Sequence, residues 1–316
     1  MTRRSIIAVS IAAALAAAAF GIVVTLVPRP AVQDVPGASA PHSSENSDLG
    51  LSVQEKSIDT LRFIDAKRFS AVWPSAASIP KVEGKIVAGV VNHHFLAADL
   101  IARFFTALKS SAPDTKRIII LSPDHFHAGR GPISVHDRDY STPDGSLASD
   151  RDIVASLVSS TSAVLEDGAM FESEHGIGAL APFIKQVFPD AKIVPIALDG
   201  SLDRGAARSF GQKLATLVDE NTVIIISSDM SHYLPEATAL KNDETTISEF
   251  KSFNEKFFAT AKDDYVDNGV ALVVLAGMFD TENIKPIFSL LDHGISSNYV
   301  SDKKSTTSYI NGVWTR

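Results

Sequence analysis

The chain has 316 residues, 45% of them hydrophobic, which is enough for a domain-sized core once the termini are set aside. Its formal net charge of -8, from 37 acidic and 29 basic residues, argues against a nucleic-acid partner, because phosphate binding draws on clustered Lys and Arg that are missing here. There is no cysteine, so disulfide and thiolate chemistry are excluded and any metal must be held by His, Asp, Glu or hydroxyl oxygens.

Arg3 and Arg4 precede an uncharged run over residues 5–27 that ends at Pro28 and Arg29. As a helix this run is long enough to cross a hydrocarbon core of about 30 Å, and the arginines on its N-terminal side predict that the bulk of the chain is exported. Residues 1–28 are therefore expected to be an uncleaved signal-anchor that ties the protein to a membrane, with the domain extracytoplasmic, either periplasmic or extracellular. The alternative is a signal peptide cut after Ala38-Ser39-Ala40, which would release a secreted protein. Residues 29–50 hold Pro30, Pro36, Pro41 and Ser43-Ser44-Glu45-Asn46-Ser47, the composition of a flexible linker. Residues 51–316 are expected to form one domain, with 51–80 wrapping its surface.

Within that domain, residues 85–91 (KIVAGVV) read as a buried strand that empties into Asn92-His93-His94. Apolar residues at helical spacing (Leu100, Ile101, Phe104, Phe105, Leu108) predict a helix over 98–110, closed by Pro113-Asp114. Residues 117–121 form the next strand and run straight into Ser122-Pro123-Asp124-His125-Phe126-His127. This strand, helix, strand order is the unit of a parallel sheet. Further helices are predicted at 150–159, around 180–188, 202–218, 241–261 and 269–279, with strands at 192–198, 222–226, 284–291 and 308–314. The expected fold class is α/β, a mostly parallel central sheet with helices on both faces.

Three predicted strands end in histidine: His93 or His94, His125 or His127, and His232. Strand ends of one open sheet converge on one crevice, and imidazole suits Fe, Zn or Cu, so together they predict a metal site. Asp229 and Asp124 stand beside these candidates, where a carboxylate can ligate or fix a ligand's tautomer. Asp124 reads equally well as a turn residue after Pro123. Glu174-His175 offers a proton-transfer group or a helix cap. His42, His136 and His293 lack the strand-end setting and read as surface residues.

Asn92-His93-His94, Ser122-Pro123-Asp124-His125, Glu174-His175-Gly176-Ile177, Pro182-Phe183, Ile193-Val194-Pro195-Ile196, Ser227-Ser228-Asp229-Met230-Ser231-His232-Tyr233 and Thr307-Ser308-Tyr309 follow one another as in the Memo family, also called AmmeMemoRadiSam system protein B. The resemblance covers about residues 85–314, and in fold the family looks like class III extradiol dioxygenases of the LigB type. It implies His93 and His125 as metal ligands, a third ligand at the position held by Ser231, and His175 as acid/base. Serine is a poor neutral ligand, so His232 or Asp229 is expected to complete the site. Gly178 and Leu180 stand where the family has polar side chains.

The expected cofactor is one divalent ion, Fe(II) favoured and Zn or Cu possible. The expected activity is metal-dependent redox or dioxygenase-type chemistry. A metal-dependent hydrolase, or a non-catalytic module that binds a metal, a peptide or a small molecule, are the alternatives.

Overall fold

The computed structural model describes residues 56–73 and 82–316. The signal-anchor and linker expected over 1–50, and His42, lie outside the described residues. No helix among the described residues is long and apolar enough to cross a membrane.

The described residues open with the two-residue strand β1 (Ile58–Asp59) and helix α1 (Ala66–Ala71). It then alternates through β2 (Ile86–Val91), α2 (Ala98–Ser111) and β3 (Arg117–Pro123). A run of short pieces follows: β4 (Ile133–Val135), β5 (Tyr140–Thr142), β6 (Gly145–Leu147), α3 (Arg151–Ser160), β7 (Val164–Leu165), α4 (His175–Gly178) and α5 (Ala181–Val187). Alternation resumes with β8 (Lys192–Leu198), α6 (Arg204–Ala215) and β9 (Thr222–Ser227). The last elements are β10 (Met230–Leu234), α7 (Glu236–Ser252), α8 (Glu255–Phe258), α9 (Gly269–Thr281), β11 (Ile287–Ile295) and β12 (Thr306–Thr315).

The main sheet has the order β10-β12-β2-β9-β3-β8-β4-β7, and β11 also pairs with β12, off this path. Its centre, β2-β9-β3-β8, is parallel. The flanks are not: β12 runs antiparallel to β2, β10 and β11, and β4 antiparallel to β8. The sheet is therefore mixed rather than mostly parallel, because antiparallel strands are added on both sides of the parallel centre. A separate three-stranded sheet, β1-β5-β6, ties residues 58–59 to the domain.

The central strands read as unbroken apolar runs because both of their faces are covered. Ile118 and Ile120 of β3, with Val223 and Ile225 of β9, pack with Phe104 and Phe105 of α2 and Phe183 of α5. Ile119, Leu121, Ile224 and Ile226 face the opposite way, toward Phe210 and Leu214 of α6 and Leu272 and Leu275 of α9. Helix α9 is buried at every position from Gly269 to Phe279, which is why it lacks a polar stripe.

Helices α6 and α9 cross through glycines. A Cβ at Gly211 would fall 1.9 Å from the Val274 carbonyl oxygen, and one at Gly277 would fall 2.1 Å from that of Arg208. Backbone cannot swing aside as a flexible side chain does. Gly211→Ala is expected to destabilise the fold by about 1–3 kcal/mol through forced separation of the helices. Thermal denaturation checks this, with Gly200→Ala, where nothing lies within 4 Å of the new Cβ, leaving Tm unchanged.

The single helix expected over 241–261 is two helices. Phe253 adopts the left-handed conformation (φ 47°) and Asn254 caps α8 through its side chain, so the first helix stops where the second begins. His136 is also not at the surface: it is buried and stacks on Phe171 with ring centroids 5.2 Å apart.

Candidate metal centre

The parallel strands β2, β9 and β3 are neighbours, and their C-terminal ends deliver His93, Ser227 with Asp229, and His125 to one place. Helix α4 brings His175 against them. Ring centroids stand 4.7 Å apart for His93 and His125, 5.1 Å for His93 and His175, and 4.0 Å for His125 and His175. One nitrogen from each of the three lies within 4.8 Å of the other two, so these histidines could hold a metal ion. They line a cleft of about 410 Å³ shared with His94, His232, Asp229 and Asp267.

The tautomers follow from hydrogen-bond supply. Ser227 Oγ has one proton and gives it to the Gly176 carbonyl at 2.6 Å, so it accepts from His93 Nδ1, 3.0 Å away. The ring proton of His93 is thus on Nδ1 and its lone pair on Nε2. Glu174 does the same for His125: its Oε1 accepts from Nδ1 at 2.7 Å. Glu174 is itself held by the backbone amides of Gly176 (2.7 Å) and His125 (3.1 Å), and it caps α4 in doing so. Both imidazoles therefore turn Nε2 outward, the arrangement in which a carboxylate or hydroxyl orients a ligand histidine from behind.

Sequence reasoning did not single out Asp267. Its neighbour Asn268 caps α9 and also donates to the carbonyls of Leu121 (3.0 Å) and Ser227 (3.2 Å), clamping the helix start onto the ends of β3 and β9. Asp267 is thereby fixed beside the histidines, with Oδ2 3.5 Å from His93 Nε2 and 3.9 Å from His125 Nε2. The available signal was Asp267-Asn268-Gly269 opening a helix apolar on all sides, since an acid at a buried helix start must meet polar company.

Ser231, expected near the third-ligand position, is used elsewhere. At φ 24° it sits in an irregular stretch of β10 and donates to buried Asp243 of α7 at 2.8 Å. His232 lines the cleft but is not one of the three convergent imidazoles. Asp229 accepts from the backbone amides of His93 (3.1 Å) and His94 (3.4 Å), with its other oxygen 3.8 Å from His93 Nε2. Asp124 takes up its turn reading, accepting from the amides of Phe126, Ala128 and Gly129. His127 turns outward to Asp199. A Cβ at Gly178 would meet the Phe63 ring at 2.2 Å, so packing against the wrapped segment accounts for glycine there.

Charge separates the three histidines. Burial holds His93 well below the ordinary histidine value, helped by His125 and His175, and burial likewise lowers His175. Burial also opposes a charge on His125, but Asp267 and Glu174 on its two nitrogens outweigh this and push it up to about 10. Burial, then the neighbouring Asp267, raise Asp229 well above the carboxylate range.

A profile of Memo-like proteins matches residues 77–313. A MEMO1 family protein of Pyrobaculum arsenaticum is 28% identical over 248 residues, 75% of this chain and 86% of the relative. One of Thermotoga maritima is 27% identical over 217 residues, 66% of this chain and 75% of the relative. An uncharacterized Escherichia coli K12 protein of known structure aligns at a TM-score of 0.46 and 12% identity, covering 73% of this chain and all of the other. With most of the described domain inside the matched span, the chain belongs to the Memo family.

Proposed function

We propose that this chain is a divalent-metal-dependent enzyme, Fe(II) favoured, in which His93, His125 and Asp267 hold the ion and His175 moves protons. The observation that carries the reading is an opposition of acceptors. The lone pair of His93 Nε2, on a residue 2% exposed, confronts a carboxylate oxygen of Asp267 at 3.5 Å. Acceptors facing one another away from water are unfavourable unless a positive charge stands between them. The 3.5 Å between His93 Nε2 and Asp267 Oδ2 is short enough for both to be ligands of one ion. Two imidazoles with a carboxylate and open positions are also the donor set of non-haem iron centres.

His175 is better suited to proton transfer than to a fourth bond. Its ring is tilted 32° from that of His125 at 4.0 Å, so the two lie almost face to face and their lone pairs do not converge easily on one point. Burial keeps it neutral at pH 7, able to accept a proton from an acidic substrate group. Burial and the neighbouring Asp267 favour the protonated form of Asp229, from which a proton can be returned. When bound, the ion supplies redox or Lewis-acid chemistry at its open positions. The sequence of residues 1–28 supports an extracytoplasmic, membrane-tethered setting for this centre.

The test is metal content set beside activity. Asp267→Ala is expected to lose bound iron, whereas His175→Ala keeps it and loses oxygen uptake with catechol-type substrates. Iron lost equally from His175→Ala would favour the three-histidine centre instead. Uptake should also release about one proton per ion at pH 7, because His125 carries a proton there and must give it up. Apparent affinity then rises with pH toward about 10, as that competing proton is lost. Calorimetry in buffers of different ionisation enthalpy reads the proton count; zero would contradict the assignment of His125.

A further inference from the structure

The cleft contains two imidazoles that the proposed centre does not use, His94 and His232. Buried Tyr309 lies with its hydroxyl 2.9 Å from His94 Nδ1, the acceptor within its reach among the described residues. If the hydroxyl accepted instead, its own proton would be buried without a partner, so it donates. The proton of the neutral His94 ring is then on Nε2, the side left exposed in the cleft.

His232 arrives at the same state by another route. Its backbone amide is fixed by the Asp263 carbonyl at 2.7 Å, and its Nδ1 is shielded from solvent with no protein partner. A shielded N–H without an acceptor costs more than a bare lone pair, which places the proton on Nε2, toward the cleft. Two N–H donors, one from the end of β2 and one from β10, therefore share one space. No Lys or Arg lines that space.

We propose that His94 and His232 form a donor pair that holds the carboxylate of a substrate beside the metal centre. This rests on the reading of the cleft as a metal-dependent site and adds a substrate class to it. Two donors match the two oxygens of a carboxylate. A phosphate, with its extra charge, calls for the Lys or Arg that are missing. Two of the three acids that line the cleft are already engaged: Asp229 accepts the amides of His93 and His94, and Asp267 accepts from Ser228 Oγ (2.6 Å) and the Asp229 amide (3.2 Å), while the third, Asp263, is exposed.

The probe is acetate, titrated into the Zn(II)-loaded chain and followed by the imidazole resonances in NMR, with acetamide as the neutral control. Acetate is expected to bind saturably and acetamide to bind at least about tenfold more weakly, as charge-assisted bonds predict. His94→Ala and His232→Ala are each expected to weaken acetate about tenfold or more while zinc stoichiometry stays as in the parent. His94→Gln, which keeps a donor, should restore much of the affinity and guards against a folding defect. Unchanged acetate affinity in both alanine variants, or no saturable binding to the parent, overturns the pair. If the parent takes up no zinc, the proposed function fails by itself. The same titration on the metal-free chain then decides the pair: binding lost in both variants upholds it, and unaltered binding ends it.

Discussion

Replacing His93 and His125 together with alanine is expected to take bound iron from about one equivalent per chain to background. Both residues present Nε2 to the same point, and each is oriented from behind by a group fixed in its turn: Ser227 by the Gly176 carbonyl, Glu174 by two backbone amides. Once both are removed, no three of the remaining His, Asp or Glu side chains among the described residues bring ligand atoms within 4.8 Å of one another. The strands that carry these histidines are held by their own ladders, so the fold is expected to form, but at reduced stability, because removing His125 leaves buried Glu174 without its charged partner. Metal analysis after purification without chelators, together with circular dichroism, reads both expectations. His127→Ala is the control, since that side chain points out to Asp199 and should leave metal content as it was.

Glu174→Ala should be nearly as damaging without touching a ligand directly. Glu174 is 1% exposed and accepts from His125 Nδ1, the His125 amide and the Gly176 amide. Its loss frees the His125 ring to turn and removes the acceptor that fixes its tautomer. Loss of such an orienting group typically lowers metal affinity about 10- to 100-fold. It also leaves buried donors without acceptors, which costs about 1–3 kcal/mol each where water cannot reach them. Metal titration and thermal denaturation should therefore both shift. A shift in Tm alone, with metal affinity unchanged, would mean that Glu174 serves only as the cap of α4.

The parallel centre of the fold was legible because its strands are buried on both sides and so carry uninterrupted apolar runs, from IVAGVV to RIIILSP, KIVPIAL and TVIIIS. On the flanks, β11 and β12 were legible as strands over 284–291 and 308–314, but their antiparallel pairing and the polar burial of β12 were not. β12 is buried along its whole length yet reads TTSYINGVWT, because its polar side chains meet partners far away in sequence, as Asn311 meets Asn92 and Ser308 meets Asp243. Strands of two or three residues, such as β1, β5 and β7, are too short to show a period at all.

The site divides along the same line. His93 and His125 stand where strands end, and a strand end can be read from sequence. Asp267 depends on Asn268 reaching carbonyls 147 and 41 residues away. The direction of Ser231 depends on one left-handed residue and on a carboxylate twelve positions later along α7. Neither is a property of local sequence.

The most direct test is anomalous diffraction from crystals of the full chain grown anaerobically with Fe(II), measured on both sides of the iron edge. The account predicts a single strong peak within about 2.3 Å of Nε2 of both His93 and His125, with an oxygen of Asp267 at similar distance. A crystal with no iron between those two nitrogens, or with iron bound only elsewhere on the chain, would contradict it.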